Sequence, residues 1–168
     1  MTLERLWAGW RSTYVSNFGT DDSEDKGCVF CRILDHADDR EAYVVRRFDA
    51  CAVVLNAYPY GSGHCMVLPY RHVGQLEELD EGALGELWRV VTDGVRAVKA
   101  AYSPGGVNVG ANLGPAAGAG VPGHLHVHVL PRWEGDTNFM TSVAETRVLP
   151  EPLSVTYDKL TKAWPGSA

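Results

Sequence analysis

The chain has 168 residues, of which 45% are hydrophobic, 21% charged and 10% aromatic. These proportions are ordinary for one compact globular domain. The 15 lysines and arginines stand against 21 aspartates and glutamates, for a formal net charge of -6. A surface of that sign repels nucleic-acid phosphates, so we expect no nucleic-acid partner. A small anion is still allowed, because a few histidines, arginines and backbone N–H groups in one pocket can bind it.

Neither a membrane segment nor a secretory signal is visible in the sequence. No apolar run approaches the roughly 20 residues that span a bilayer. Charged Glu4 and Arg5 stand where the apolar part of a signal peptide would lie. We therefore expect no membrane partner and a cytoplasmic location, where cysteines stay reduced. Cys51 and Cys65 lie in the apolar runs CAVVL and HCMVLP, which predicts core positions for both.

The first predicted elements are a lead-in and a group of strands. Residues 1–27 end in the acidic stretch GTDDSEDKG, which predicts a flexible segment. From Glu41 onward, short β-branched runs separated by turn residues predict strands. In chain order these runs are AYVVRRF, CAVVLN and HCMVLPY, and later GVNVGAN and HLHVHVLP.

One long helix is predicted between the third and fourth strands. From Asp80 to Tyr102, apolar residues recur at steps of three and four, which is the period of one helical face. Asp80 is a candidate N-cap, and Pro104 with the glycines after it is a stop signal. The predicted fold class is α+β, a mostly antiparallel sheet with one long packed helix.

Three histidines alternate with aliphatic residues in the last predicted strand: His124, Leu125, His126, Val127, His128 and Val129. In an extended strand, this alternation places the imidazoles on one face and the aliphatic side chains in the core. Two functions compete. The row could bind a metal ion, although its outer histidines lie roughly 13 Å apart along a strand, too far for one ion to take all three. Alternatively, His126 is a nucleophile toward phosphorus, and its neighbours handle charge and protons.

The stretch HLHVHVL, followed by PRW, resembles the HφHφHφφ signature of the histidine triad superfamily of nucleotide hydrolases and transferases. The resemblance extends from Cys28 to about Met140. It is closest to the diadenosine tetraphosphate phosphorylase branch in VLNAYPYGSGHCMVLPYRHV, GVNVGANLG and HLHVHVLPRWEGDTNF. The fragile-histidine-triad dinucleoside polyphosphate hydrolases come next. The resemblance implies a histidine triad (HIT) domain at 28–140 with a C-terminal extension at 141–168, and a homodimer.

The resemblance also implies roles for individual residues. His126 would attack the α-phosphorus and become transiently nucleotidylated, and His128 would help the leaving group depart. His64 matches a histidine that supports the loop of the nucleophile. Asn56 matches the residue that hydrogen-bonds the ribose hydroxyls, and Asn112 matches a residue near the phosphates.

The loop before the histidine row departs from the family pattern. Relatives carry Gln or Ser there as a phosphate ligand, whereas this chain has Gly118, Ala119, Gly120 and Val121. Backbone N–H groups of such a loop, that of Gly120 included, can still cradle a phosphate. The phosphorylase branch also lacks the glutamine of the hydrolases, so the resemblance implies phosphate rather than water as the acceptor in the second step.

Cys28 and Cys31 have the C-x₂-C spacing of zinc sites, but one pair supplies only half of a site. The acidic loop before them does not fit a thioredoxin-like redox unit. The resemblance implies that His72 and His124 complete the set. Two thiolates and two imidazoles would form a closed, structural Zn²⁺ site, and catalysis would need no cofactor. Two reduced cysteines and two solvated histidines without a metal are the alternative.

The resemblance therefore implies a nucleotidyl transferase or hydrolase that acts on dinucleoside polyphosphates through a covalent nucleotidyl-histidine intermediate. The enzyme would be a diadenosine tetraphosphate phosphorylase or hydrolase, and its partner an adenine nucleotide or dinucleoside polyphosphate. A nucleoside phosphoramidase and a nucleotide-binding or sensing module without useful turnover are alternatives. A zinc hydrolase that uses the histidine row as metal ligands is a third.

Overall fold

The computed structural model describes residues 27–136 and 151–166, so most of the predicted lead-in at 1–27 lies outside the described residues. The elements are α1 (Val29–Leu34), β1 (Val44–Arg47), β2 (Cys51–Leu55), β3 (Cys65–Pro69), α2 (Glu81–Tyr102), β4 (Gly106–Gly110), β5 (Val127–Arg132) and α3 (Leu153–Ala163). Short 3-10 turns lie at Leu76–Glu78 and Pro115–Ala117. Within the described ranges, no helix is both long and apolar enough to cross a membrane.

The strands form one sheet in the order β1-β2-β3-β5-β4, and each neighbouring pair is antiparallel. The last of the described strands, β5, lies inside the sheet. His128 on β5 is opposite Met66 of β3 on one side and Gly110 of β4 on the other. Hydrogen bonding to two neighbours fixes the backbone of β5, so the side chains that it carries start from a rigid support. The architecture confirms the predicted α+β class.

Helix α2 confirms the predicted boundaries of the long helix. The Asp80 side chain accepts a hydrogen bond from the Ala83 N–H at 2.9 Å, as an N-cap does. The helix ends at Ser103, whose left-handed backbone (φ 46) turns the chain just before Pro104. One stripe of α2 is buried against the sheet: Leu87, Val90, Val91, Gly94, Ala97 and Val98.

Both faces of the sheet are covered, because side chains of β2 and β3 alternate between two apolar clusters. Toward α2 the main core includes Cys51, Val53, Cys65 and Val67. Cys51 and Cys65 are fully buried, as predicted, and burial raises the pKa of each thiol to about 12. The other cluster, called here the α1 cluster, contains Phe30, Leu34, Val44, Ala52, Val54, Met66 and Leu68.

Two helices are not predicted by the sequence patterns. Helix α1 has six residues, too few to show a helical period, and it covers the α1 cluster. Helix α3 packs against α2 and β1, in the segment after residue 140. Leu160 of α3 and the following Trp164 belong to the main core. Trp164 lies against α2 at Gly94, where an added Cβ would be 3.4 Å from the indole ring.

Candidate active site and metal centre

The histidine row lies at the start of β5. The predicted strand begins at His124, but the regular strand begins only at Val127. Before that point the chain bonds to another segment, since the Leu125 N–H donates to the carbonyl of Val73, in the segment after β3, at 2.6 Å. The alternation of the row still holds, because Leu125 belongs to the main core with Val127 and Val129. His124 and His126 instead contact the ring of Phe30 in the α1 cluster.

His126 is almost fully buried, with 5% of its surface exposed. Its Nδ1 lies 2.8 Å from the carbonyl oxygen of His124. A carbonyl only accepts, so Nδ1 donates the proton, and in the neutral ring Nε2 keeps its lone pair. Burial lowers the pKa of His126, although the hydrogen bond to His124 opposes the shift. The ring is therefore a neutral imidazole with a free lone pair at neutral pH, as a nitrogen nucleophile requires.

His128 and His64 form a directly hydrogen-bonded pair, with 2.9 Å between Nε2 of His64 and Nδ1 of His128. The backbone N–H of Tyr60 donates to Nδ1 of His64 at 3.0 Å, so His64 carries its own proton on Nε2. That proton points at Nδ1 of His128, which must accept it. His128 therefore holds its proton on Nε2. Burial, together with the neighbouring His126, lowers the pKa of His128 to about 4, so this ring is also neutral.

The predicted asparagines lie at two different places. Asn56 follows β2 and accepts the Tyr58 N–H through Oδ1 at 2.9 Å, and its Nδ2 is 3.4 Å from Nδ1 of His64. Asn112 lies in the loop between β4 and β5, where its Nδ2 donates to the carbonyl of Gly118 at 3.3 Å. Gly120 is half-buried in the same loop. The structure thus brings Asn56 next to His64, and it places Asn112 and Gly120 in the glycine-rich loop that leads to the histidine row.

The four predicted metal ligands come together. One donor atom each from Cys28, Cys31, His72 and His124 lies within 4.8 Å of all the others. Nδ1 of His124 is 3.3 Å from the Cys28 sulfur and 3.6 Å from the Cys31 sulfur. The Cys31 sulfur is 3.3 Å from Nδ1 of His72. Tetrahedral zinc with its usual bond lengths separates its ligand atoms by about 3.3–3.8 Å. The three sulfur–nitrogen distances fall in this range, so the cluster could hold such an ion.

The hydrogen bonding of His124 also suits a metal ligand. Its Nε2 lies 2.9 Å from the carbonyl oxygen of Pro69, so Nε2 carries the proton and Nδ1 turns its lone pair toward the sulfurs. A partner on the second ring nitrogen is typical of metal-binding histidines, because it fixes the tautomer and the orientation of the ring.

Two aromatic residues at the site are not predicted by the sequence patterns. The Phe30 ring lies with its centroid 5.0 Å from that of His126 and 5.6 Å from that of His124. The Tyr60 ring lies 4.7 Å from that of His64 and 5.9 Å from that of His128. Position offers a weak signal for both, since Phe30 lies between the two paired cysteines and Tyr60 lies in the turn before His64.

Comparisons with known proteins agree with this geometry. The family model described as HIT domain matches residues 38–135, a range that contains the five strands, α2 and the whole histidine row. A Mycobacterium tuberculosis protein named AP-4-A phosphorylase is 39% identical over 166 residues, which cover 96% of this chain and 85% of that protein.

Solved structures give the same result. A hypothetical histidine triad nucleotide-binding protein from Sulfolobus tokodaii superposes with a TM-score of 0.65 at 32% identity, over 81% of this chain and 91% of that one. A Zn-bound histidine triad family protein from Mycobacterium smegmatis has a TM-score of 0.65 at 25% identity, over 82% and 92% of the two chains. The matched residues, the relatives and the shared architecture lead to one conclusion: this chain is a member of the HIT domain family.

Proposed function

We propose that this protein transfers an adenylyl group from diadenosine tetraphosphate to inorganic phosphate, which makes it a phosphorylase of dinucleoside polyphosphates. The similarity to the protein named AP-4-A phosphorylase, over nearly the whole chain, supports this choice. The observation that carries it is that two neighbouring neutral rings hold their proton on different nitrogens. His126 offers a lone pair at Nε2, whereas His128 offers a proton at Nε2.

In the proposed first step, Nε2 of His126 attacks the α-phosphorus of the bound substrate. A nitrogen–phosphorus bond forms, and the bond from the α-phosphorus to its bridging oxygen breaks. The electron pair of that bond goes to the leaving ATP. The N–H of His128 at Nε2 donates to the bridging oxygen as negative charge develops there. His64 keeps that donor in place, because its own N–H occupies Nδ1 of His128.

In the second step, an oxygen of inorganic phosphate attacks the adenylyl group on His126. The nitrogen–phosphorus bond breaks, ADP leaves, and the electron pair returns to the imidazole. Water in place of phosphate would give AMP. A loop of backbone donors can bind either acceptor. The absence of a side-chain phosphate ligand at Gly118 to Val121 favours phosphate, as the resemblance implies.

Substrate contacts are proposed for three further residues. Asn56 can accept hydrogen bonds from the ribose hydroxyls. It lies beside His64, which is itself hydrogen-bonded to His128. Asn112 and Gly120 would face the phosphates from the loop before the histidine row. Their hydrogen-bonding groups add no charge, so the product is not held by an extra ion pair.

We propose that Cys28, Cys31, His72 and His124 bind a structural Zn²⁺. Two sulfurs and two nitrogens fill the four positions of a tetrahedral ion, which leaves none for substrate or water. The Zn-bound relative supports this assignment. His126 and His128 lie outside the ligand set, so the zinc hydrolase expected as an alternative loses its catalytic ligands. Bound there, the ion would join the start of α1 to the segments that carry His72 and His124.

A homodimer and a cytoplasmic location are also proposed, as the sequence suggests. The exposed surface of the edge strand β4 and of α2 supports a dimer, because Val109 and Trp88 are each 43% exposed. Edge strands and exposed aromatic residues are common at subunit contacts. Size-exclusion chromatography with light scattering gives the mass directly, and a monomer at all concentrations would contradict the dimer.

The experiment that tests the function is incubation with diadenosine tetraphosphate, with and without inorganic phosphate, followed by separation of the nucleotides. ADP and ATP formed only with phosphate are expected. AMP and ATP formed regardless of phosphate would make the protein a hydrolase with the same nucleophile. No product in either mixture would contradict both and favour the phosphoramidase or the binding module.

A further inference from the structure

We infer that Phe30 is a positioning residue for the nucleophile, and that through it the α1 segment with its two cysteines controls the orientation of the His126 ring. The inference rests on the proposed function for the role of His126. It starts from the position of Phe30, which lies between Cys28 and Cys31 in the chain and whose ring contacts that of His126.

The contacts of His126 explain why its ring needs such a neighbour. One hydrogen bond, from Nδ1 to the carbonyl of His124, fixes the tautomer, but a single bond still lets the ring swing about that contact. Ring contacts limit the swing. The Phe30 ring lies at 5.0 Å with 55° between the planes, and the His128 ring at 5.0 Å with 81°. Both pairs have the centroid distances of favourable aromatic contacts.

Helix α1 does not hold its own position. It has six residues and its N-cap, Cys28, makes no side-chain capping bond, so the helix is far too short to be stable alone. Its start is joined to the rest of the chain through the cysteine–histidine cluster. At its other end, the Arg47 guanidinium donates to the Leu34 carbonyl at 2.6 Å. Phe30 lies between these two attachments, with 7% of its surface exposed.

Two connections therefore lead from the cluster to the nucleophile. One runs through His124, whose Nδ1 faces the sulfurs and whose carbonyl oxygen accepts from His126. The other runs from Cys28 and Cys31 through the backbone of α1 to the Phe30 ring. The two contacts are complementary, since the first sets which nitrogen of His126 is free and the second sets where that nitrogen points. In-line attack on phosphorus is sensitive to this direction.

The test compares Phe30→Leu with a matched control, Leu34→Val. Leu34 is buried in the same apolar cluster and on the same helix, but it lies one turn further from the cysteines, beside Arg47. Both substitutions remove apolar volume from the α1 cluster. Only Phe30→Leu removes the ring next to His126. Phe30→Met serves as a second variant should Phe30→Leu not fold, because the unbranched, flexible Met side chain adapts to irregular core space.

Three quantities are measured on the protein purified with Zn²⁺: the metal content per chain, kcat and KM for diadenosine tetraphosphate, and the ring-nitrogen chemical shifts of His126 by NMR. The signals of His126 are identified by their absence in His126→Ala. For Phe30→Leu we expect unchanged metal content, a kcat lowered by about tenfold or more at a KM within about twofold, and shifted His126 signals. For Leu34→Val we expect kcat and the His126 signals of the unsubstituted protein.

Unchanged His126 signals and kcat in Phe30→Leu would overturn the inference. An equal loss of kcat in Leu34→Val would also overturn it, because the effect would then come from general loosening of the α1 cluster. The NMR comparison needs no substrate. If the unsubstituted protein shows no turnover, the proposed function fails while shifted His126 signals in Phe30→Leu still support the positioning role.

Discussion

The two histidine groups of this protein differ in which ring nitrogen is occupied by a protein partner. In the cysteine–histidine cluster, His124 donates a hydrogen bond from Nε2 to the Pro69 carbonyl and turns Nδ1 toward the sulfurs. Two residues later, His126 donates a hydrogen bond from Nδ1 to the His124 carbonyl, so its lone pair is on Nε2. The residue type and the stretch of chain are the same. The hydrogen bond made by one ring nitrogen decides which nitrogen keeps the lone pair, Nδ1 in His124 and Nε2 in His126.

The largest effect is expected for His126→Ala, which removes the ring with the free lone pair at Nε2. We expect turnover to fall by about 10⁴-fold or more, because no other group described at the site offers a free lone pair to phosphorus. Nucleotide binding and the folded state should persist, since the backbone carbonyl of His124 is unchanged. Steady-state kinetics, calorimetric titration with nucleotide and circular dichroism check these outcomes. Retained turnover would contradict the proposed nucleophile.

The matching change in the cysteine–histidine cluster is Cys31→Ser, which removes one of the four proposed metal ligands. We expect loss of bound zinc and a fall in stability of several kcal/mol, because the closed site joins α1 to two distant segments. Thermal unfolding and metal analysis measure the effect, and a chelator added to the unsubstituted protein should reproduce it. Loss of activity on chelation with an unchanged melting temperature would instead indicate a catalytic metal.

A smaller effect is expected for the proton donor. His128→Gln should lower kcat by roughly 10²-fold to 10³-fold, because the bridging oxygen loses its positioned acid. A substrate whose leaving group is already acidic, such as a nitrophenyl ester of AMP, needs less help and should lose much less. Kinetics with both substrates give the ratio. An equal loss with the two substrates would contradict the assignment of His128 to the leaving group.

The smallest effect concerns pH. The pKa of His128 is lowered to about 4 in the folded protein, against about 6.5 in an unfolded chain. Between these values the unfolded state binds more protons, so His128 makes the folded state less stable as the pH falls from 6.5 toward 4. The free energy of unfolding, measured with denaturant across this range, should depend less steeply on pH in His128→Gln. An identical slope in both proteins would contradict this linkage.

Patterns of short range account for what the sequence predicts well. The period of α2, its cap at Asp80 and the alternation of the histidine row each depend on neighbouring residues, and the structure confirms them. The meeting of Cys28, Cys31, His72 and His124 is different. Those residues are separated by up to 96 positions, and only the family resemblance connects them before the fold is known.

Contacts that depend on tertiary packing are not predicted by the sequence. The Phe30 ring lies in a six-residue helix without a visible period, and its neighbour His126 is 96 residues away. The Tyr60 N–H decides that His64 donates and His128 accepts in their hydrogen bond, and no residue pattern encodes this backbone contact. The strand β5 starts at Val127 rather than at His124, and before it the Leu125 N–H bonds to Val73 on another segment.

The place of Trp164 has a practical consequence for anyone who trims this chain for expression. A fragment that stops at residue 135, where the family match ends, lacks α3 and Trp164. It would lose the Trp164 ring that packs against Gly94 of α2, and with it part of the main core. The apolar surface exposed to water in this fragment would favour aggregation during purification. The same dependence orders events on the ribosome, because the main core is complete only after Leu160 and Trp164 have been synthesised.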